Sequence, residues 1–132
     1  MYDVPARPAW QREALCRGID VELFFPTRGK NSVARESIRR ACGACPVRGQ
    51  CIELANALPE HFGMFGGTSE RQRLVLRRRG VLRMADGAVV TMDATTRAVS
   101  VTKPRGEVMT RYGARLLLES LDTRRRPLAA TG

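Results

Sequence analysis

Cys42-Gly43-Ala44-Cys45-Pro46-Val47-Arg48-Gly49-Gln50-Cys51 packs three of the chain's four cysteines into one short stretch; the fourth, Cys16, stands alone upstream. The Cys-x-x-Cys bend brings two sulfurs close enough to share one centre. Pro46 suits a first helical position. From there Val47, Cys51, Leu54, Ala55 and Leu58 recur as a single helical stripe, which turns Cys51 toward the core. Cys45 then falls at the helix mouth, where unpaired N–H groups and the positive dipole end favour a thiolate. Four soft donors in a chain with one histidine point to a metal or iron–sulfur centre. Residue chemistry leaves both open. Structural zinc commonly pairs two Cys-x-x-Cys knuckles, and this chain has one.

The rest of the composition sets what surrounds that centre. A chain of 132 residues is one domain, or one small domain with an appendage. Aromatic residues are only 5%, with one Trp, so the first part of the chain buries a thin core that a bound centre would staple. There are 23 basic residues against 13 acidic, a formal charge of +10, and only Lys30 and Lys103 are lysines. Such an Arg-dominated excess favours a polyanionic partner. The first residues lack the apolar core of a signal peptide and no later run is long enough to span a bilayer, so a cytoplasmic protein without membrane contact is expected. A reducing compartment makes bound thiolates the expectation over structural disulfides.

Along the chain, a helical turn is expected from Trp10 to Cys16, ending at Gly18, then a brief apolar patch over 21–25. A helix is expected from Ser32 to Ala41, with Val33, Ala34, Ile38 and Ala41 inward. Gly63-Met64-Phe65-Gly66-Gly67 is a turn around two large apolar residues, either a docking knob or a plug on the core. A mostly solvated helix follows, capped by Thr68 and closed by Arg77-Arg78-Arg79 before Gly80. Residues 88–92 and 98–102 read as a hairpin around Asp93–Thr96. Ala114, Leu117, Leu118 and Leu121 mark a last amphipathic helix, ending at 124–127.

Trp10, Ala14-Leu15-Cys16, Asp20, Phe24-Phe25, the cysteine run with Ala55, the glycine turn and Thr68-Ser69-Glu70-Arg71-Gln72-Arg73 together resemble the WhiB-like family of actinobacterial transcription regulators. The resemblance runs from Trp10 to about Arg79. It implies a 4Fe–4S cluster on Cys16, Cys42, Cys45 and Cys51 within a small helical bundle. It implies that Trp10, Phe24, Phe25, Met64, Phe65, Gly66 and Gly67 form a surface for the C-terminal region of the primary sigma factor of RNA polymerase. A basic segment with Arg71, Arg73, Arg77, Arg78 and Arg79 would then reach promoter DNA near the −35 element. Oxidants or nitric oxide acting on the cluster would alter binding. The family turn usually carries Trp where this chain has Phe65, which keeps apolar bulk and loses the indole N–H.

The expected fold is therefore mostly α: a small bundle around a four-cysteine cluster at 8–80, and a basic extension at 81–132 forming a hairpin and helix (α+β) or a partly disordered tail. The expected function is transcription regulation without a small-molecule substrate or enzymatic activity. One alternative is a zinc-stabilised DNA-binding protein with no sigma contact. Another is a Cys-x-x-Cys disulfide reductase in the apo form, though no βαβ pattern precedes Cys42. Lys103-Pro104-Arg105-Gly106 is a strand-end turn sooner than a minor-groove hook, and His61 has no matching ligand set.

Overall fold

The computed structural model describes residues 9–19, 21–24, 32–58, 63–103 and 108–122. Asp20, Phe25, His61 and the 124–127 end expected for the last helix lie outside them. A 3-10 turn at Ala9–Glu13 leads into Cys16, and a second at Val21–Phe24 follows. Gly18 makes the left-handed step between them, at φ 78°. Helix α1 (Ser32–Gly43) buries Ile38 and Ala41 completely and carries Cys42 in its last turn. Helix α2 (Arg48–Ala57) comes next.

The second helix starts two residues later than its proline suggested. Backbone bonds from Ala44 to Ala41, Cys45 to Cys42 and Arg48 to Cys45 roll the cysteine run into successive tight turns, so Val47 becomes the N-cap. The inward stripe also needs correction. Val47 and Ala55 are buried, but Leu58 is 40% exposed, while Ile52 is fully buried on a face the stripe omits. This helix serves two neighbours. Cys51 points to the other cysteines, and Ile52 to a sheet.

Helix α3 (Glu70–Arg79) is capped by Ser69 instead of Thr68. The Ser69 hydroxyl accepts from the Gln72 amide at 3.2 Å, and the Gln72 side chain accepts from the Ser69 amide at 2.9 Å, a reciprocal capping box. Thr68 is buried and donates its hydroxyl to the Phe65 carbonyl at 2.6 Å, closing the glycine turn. Gly80, at φ 76°, ends the helix as expected.

A strand absent from the expectation follows at once. Strand β1 (Val81–Arg83) pairs antiparallel with β2 (Val89–Met92), and β2 pairs antiparallel with β3 (Val99–Val101) in the order β1-β2-β3. The register Leu82↔Val90↔Val101 lines up the inner face. At the hairpin tip the Asp93 carboxylate accepts the Thr95 and Thr96 amides, each at 2.8 Å, and Arg97 takes a positive φ of 66°. Helix α4 (Arg111–Leu121) is capped by Thr110, whose hydroxyl accepts from Gly113 at 3.0 Å.

Both hydrophobic clusters draw on each side of position 80. Ile52 and Leu76 join Leu82, Met84, Ala88, Val90 and Met92 in one. Ile19 and Ala41 join Ala114 and Leu118 in the other, with Leu15, Cys16 and Phe24 packed against it. The sheet edge is fastened as well: Glu53 of α2 accepts the Val99 amide of β3 at 2.8 Å. Among the described residues the architecture is four α-helices and a small antiparallel sheet, with the sheet and α4 part of the packed body.

Candidate metal centre

Each cysteine arrives on a different local structure. Cys16 leaves the first 3-10 turn, its carbonyl accepting the Ile19 amide at 2.9 Å. Cys42 closes α1, Cys45 sits in the turn between helices, and Cys51 lies in the first turns of α2. All four are free thiols and all are half-buried. Burial pushes the Cys16 thiol up, and the charge of Cys45 pushes the same way. Cys42 is pushed up by burial and then by Cys51, Cys16 and Cys45. Cys51 is pushed up to about 12 by burial, then by Cys16 and Cys45. The four sulfurs therefore act on one another electrostatically, and burial opposes charging them without a cation among them. Among the described residues, no three Cys, His, Asp or Glu side chains close on a point that one metal ion could occupy.

The glycine turn at residues 63–68 lies over these thiols. The Met64 amide donates to the Phe24 carbonyl at 2.7 Å, which ties the turn to the segment after Cys16. Gly66 and Gly67 have φ values of 59° and 79°. The backbone of Gly66 draws the Cys51 thiol back down. A Cβ on Gly67 would lie 3.3 Å from the Cys42 Cβ, and one on Gly66 would lie 2.5 Å from Ile52. Only a residue without a side chain fits either place.

Between knob and plug, Met64 is the plug, 3% exposed, whereas Phe65 is half-buried. Trp10 and Phe24 are half-buried too, so they and Phe65 keep some accessible apolar surface; Gly66 and Gly67 are buried. The basic residues divide similarly. Arg71, Arg78 and Arg79 are exposed, and Arg77 donates to Asn56 at 3.2 Å. Arg73 departs from expectation. It is 1% exposed, donates to the Thr68 carbonyl at 2.7 Å and the Gly63 carbonyl at 2.9 Å, and stacks 5.3 Å from the Phe65 ring centroid. Its guanidinium holds the glycine turn and is not free to meet a phosphate.

Two more arginines belong to the site and escaped the sequence reading. Arg48 is 4% exposed, and its Nε donates to the Gly66 carbonyl at 2.8 Å. Arg115, from α4, donates to the Leu15 carbonyl at 2.8 Å and also to the Arg17 carbonyl, bracketing Cys16. Three of the thiols have a cation drawing them back down: Arg115 for Cys16, Arg48 for Cys42 and Arg73 for Cys51.

Fold and site together define a small α+β protein whose free thiols are gathered beneath a glycine turn and ringed by arginine. A family model described as transcription factor WhiB matches residues 10–76, and the chain belongs to the WhiB family of transcriptional regulators. It is 43% identical over 79 residues to the transcriptional regulator WhiB of Streptomyces coelicolor, covering 60% of this chain and 87% of that one. It is 40% identical over 80 residues to the redox-responsive transcriptional regulator WhiB3 of Mycolicibacterium smegmatis, covering 58% and 83%. WhiB2 of the same organism is 48% identical over 69 residues, covering 52% and 51%. The family match stops within α3, so the sheet and α4 lie beyond it.

Proposed function

We propose that the chain carries a 4Fe–4S cluster on Cys16, Cys42, Cys45 and Cys51, docks on the C-terminal region of the primary sigma factor of RNA polymerase, and lays its basic helix end against promoter DNA near the −35 element. The observation that carries the reading is the gathering of four free thiols, which act on one another electrostatically, under a turn whose Gly66 backbone favours the Cys51 thiolate. A single zinc draws its sulfurs to about 2.3 Å from one point. A multi-iron core takes one thiolate at each corner, and the four free thiols supply that number. Amide donation and nearby cations stabilise thiolates in such a site.

Trp10, Phe24 and Phe65 offer the docking surface, with Phe25 beside them in sequence. Met64, Gly66 and Gly67 give the turn its shape. Arg71, Arg77, Arg78 and Arg79 remain the DNA contacts. The redox-responsive relative supports a sensing role: oxidants or nitric oxide that attack the thiolate centre would loosen the turn and the cysteine loops it ties together. A disulfide reductase needs an attacking thiolate at ordinary pH, and burial pushes the Cys42 thiol the other way. No helix among the described residues is long and apolar enough to cross a membrane, which fits a regulator working beside polymerase in the cytoplasm.

Anaerobic co-expression with sigma region four tests the whole reading. A brown complex containing iron and sulfide is expected, with both lost in Cys42→Ser. A colourless protein holding one zinc and no sigma would replace it with the zinc alternative.

A further inference from the structure

Arg48 is the first residue of α2, and three parts of the molecule meet at its guanidinium. Its Nε donates to the Gly66 carbonyl at 2.8 Å. A Cβ built on Gly67 would lie 3.2 Å from its Nη2 and 3.3 Å from the Cys42 Cβ, so guanidinium and cysteine flank the same point. Its Nη1 lies 3.6 Å from Asp86 Oδ2, in the turn between β1 and β2, yet that buried nitrogen has no hydrogen-bond partner. A guanidinium that is 4% exposed with an unmade N–H bond carries an uncompensated desolvation cost. Asp86, with a side chain 38% exposed and outside hydrogen-bond range, is screened and offsets little of it. Cys42 lies across the Gly67 position from the guanidinium.

We propose that Arg48 is a positioning residue of the metal centre: its guanidinium, held between the glycine turn and Cys42, balances the negative charge of the thiolate-held cluster and raises its reduction potential, with Asp86 as an opposing charge. This rests on the iron–sulfur reading. Four thiolates outweigh the cationic core they hold, and the net negative charge grows on reduction, so a fixed buried cation favours the reduced form. The arrangement also accounts for a buried arginine so close to the cysteines. The charge that the ligated thiolates bring would offset the desolvation cost left at its Nη1.

The test is a redox titration of anaerobically purified, full-length protein, with iron and sulfide measured on each sample. Arg48→Gln should lower the reduced-to-oxidised ratio at fixed poise about tenfold, which is about 59 mV for one electron. Arg48→Lys, which keeps the charge and loses the Gly66 bond, should stay within about threefold of the parent. Asp86→Asn should move the ratio the other way, by about threefold, because an exposed carboxylate is screened. A merely structural arginine predicts equal effects for Gln and Lys and none for Asp86. If the parent holds iron and sulfide but neither Arg48→Gln nor Asp86→Asn shifts its potential, the assignment is overturned and the cluster stands. If Arg48→Gln does not fold, Asp86→Asn decides alone: an upward shift supports the assignment and no shift overturns it. A parent without iron or sulfide removes the cluster, and the role of Arg48 with it.

Discussion

Gly66→Ala is the most searching single perturbation of the site, because two independent costs fall on one methyl group. At φ 59° the backbone sits where L residues lose about 1–2 kcal/mol. The added Cβ would also stand 2.5 Å from Ile52 Cγ1 and 2.9 Å from the Arg48 carbonyl oxygen, against a side chain that is fully buried and a backbone that is helical. Overpacking of this kind costs about 1–3 kcal/mol. The sum is roughly 2–5 kcal/mol, a large part of the stability of a small domain. At roughly 4 °C per kcal/mol, the melting temperature should fall by about 8 °C or more. Gly80→Ala is the matched control: its φ is 76°, but the nearest atom to its Cβ is the Met92 carbonyl oxygen at 3.6 Å. It carries the left-handed cost without the collision and should lose only about 4 °C. Thermal melts of the two variants and the parent, followed by circular dichroism in one buffer, give the comparison. Equal melting of the two variants would refute the claim that the glycine turn is pressed against α2.

Other outcomes follow from single interactions. Arg115→Ala frees the Leu15 and Arg17 carbonyls and should lower the hydrogen-exchange protection of the Ile19 amide, which donates to the Cys16 carbonyl, about tenfold; unchanged protection would mean α4 does not hold that loop. Neutralising Arg77, Arg78 and Arg79 together should flatten the salt dependence of promoter binding by about 0.9 for every phosphate that the variant no longer neutralises, and an unchanged slope would remove all three as phosphate ligands. The Asp93 carboxyl is held below its ordinary range by the amides of Thr96 and Thr95. Its contribution to the hairpin is therefore present above the unfolded carboxylate range and is lost as pH falls through the lowered value. Thr95 and Thr96 amide shifts in an NMR titration should move only at more acid pH than ordinary aspartates titrate.

The local signals were readable. Cysteine spacing, the glycine turn, the 88–92 and 98–102 hairpin strands and the leucine face of the last helix all sit within a few residues of their cause. What escaped depends on partners distant in sequence. Arg48 and Arg73 belong to a residue type that is almost always solvated, and their burial is made tolerable by carbonyls eighteen and ten positions away. Strand β1 is three residues long and exists because Gly80 hands the chain to β2. The choice of Ser69 over Thr68 as cap follows from the glycine turn claiming the Thr68 hydroxyl first. Leu58 carries a core-type side chain at the end of α2, where no described neighbour arrives to cover it.

The grip of Arg115 on the backbone around Cys16 has a consequence in time. A growing polypeptide presents its first thiol early, but the side chain that steadies that thiol is made about a hundred residues later. The frame around Cys16 is therefore completed only once α4 has been made, and a chain stalled before Arg115 leaves that segment unfastened.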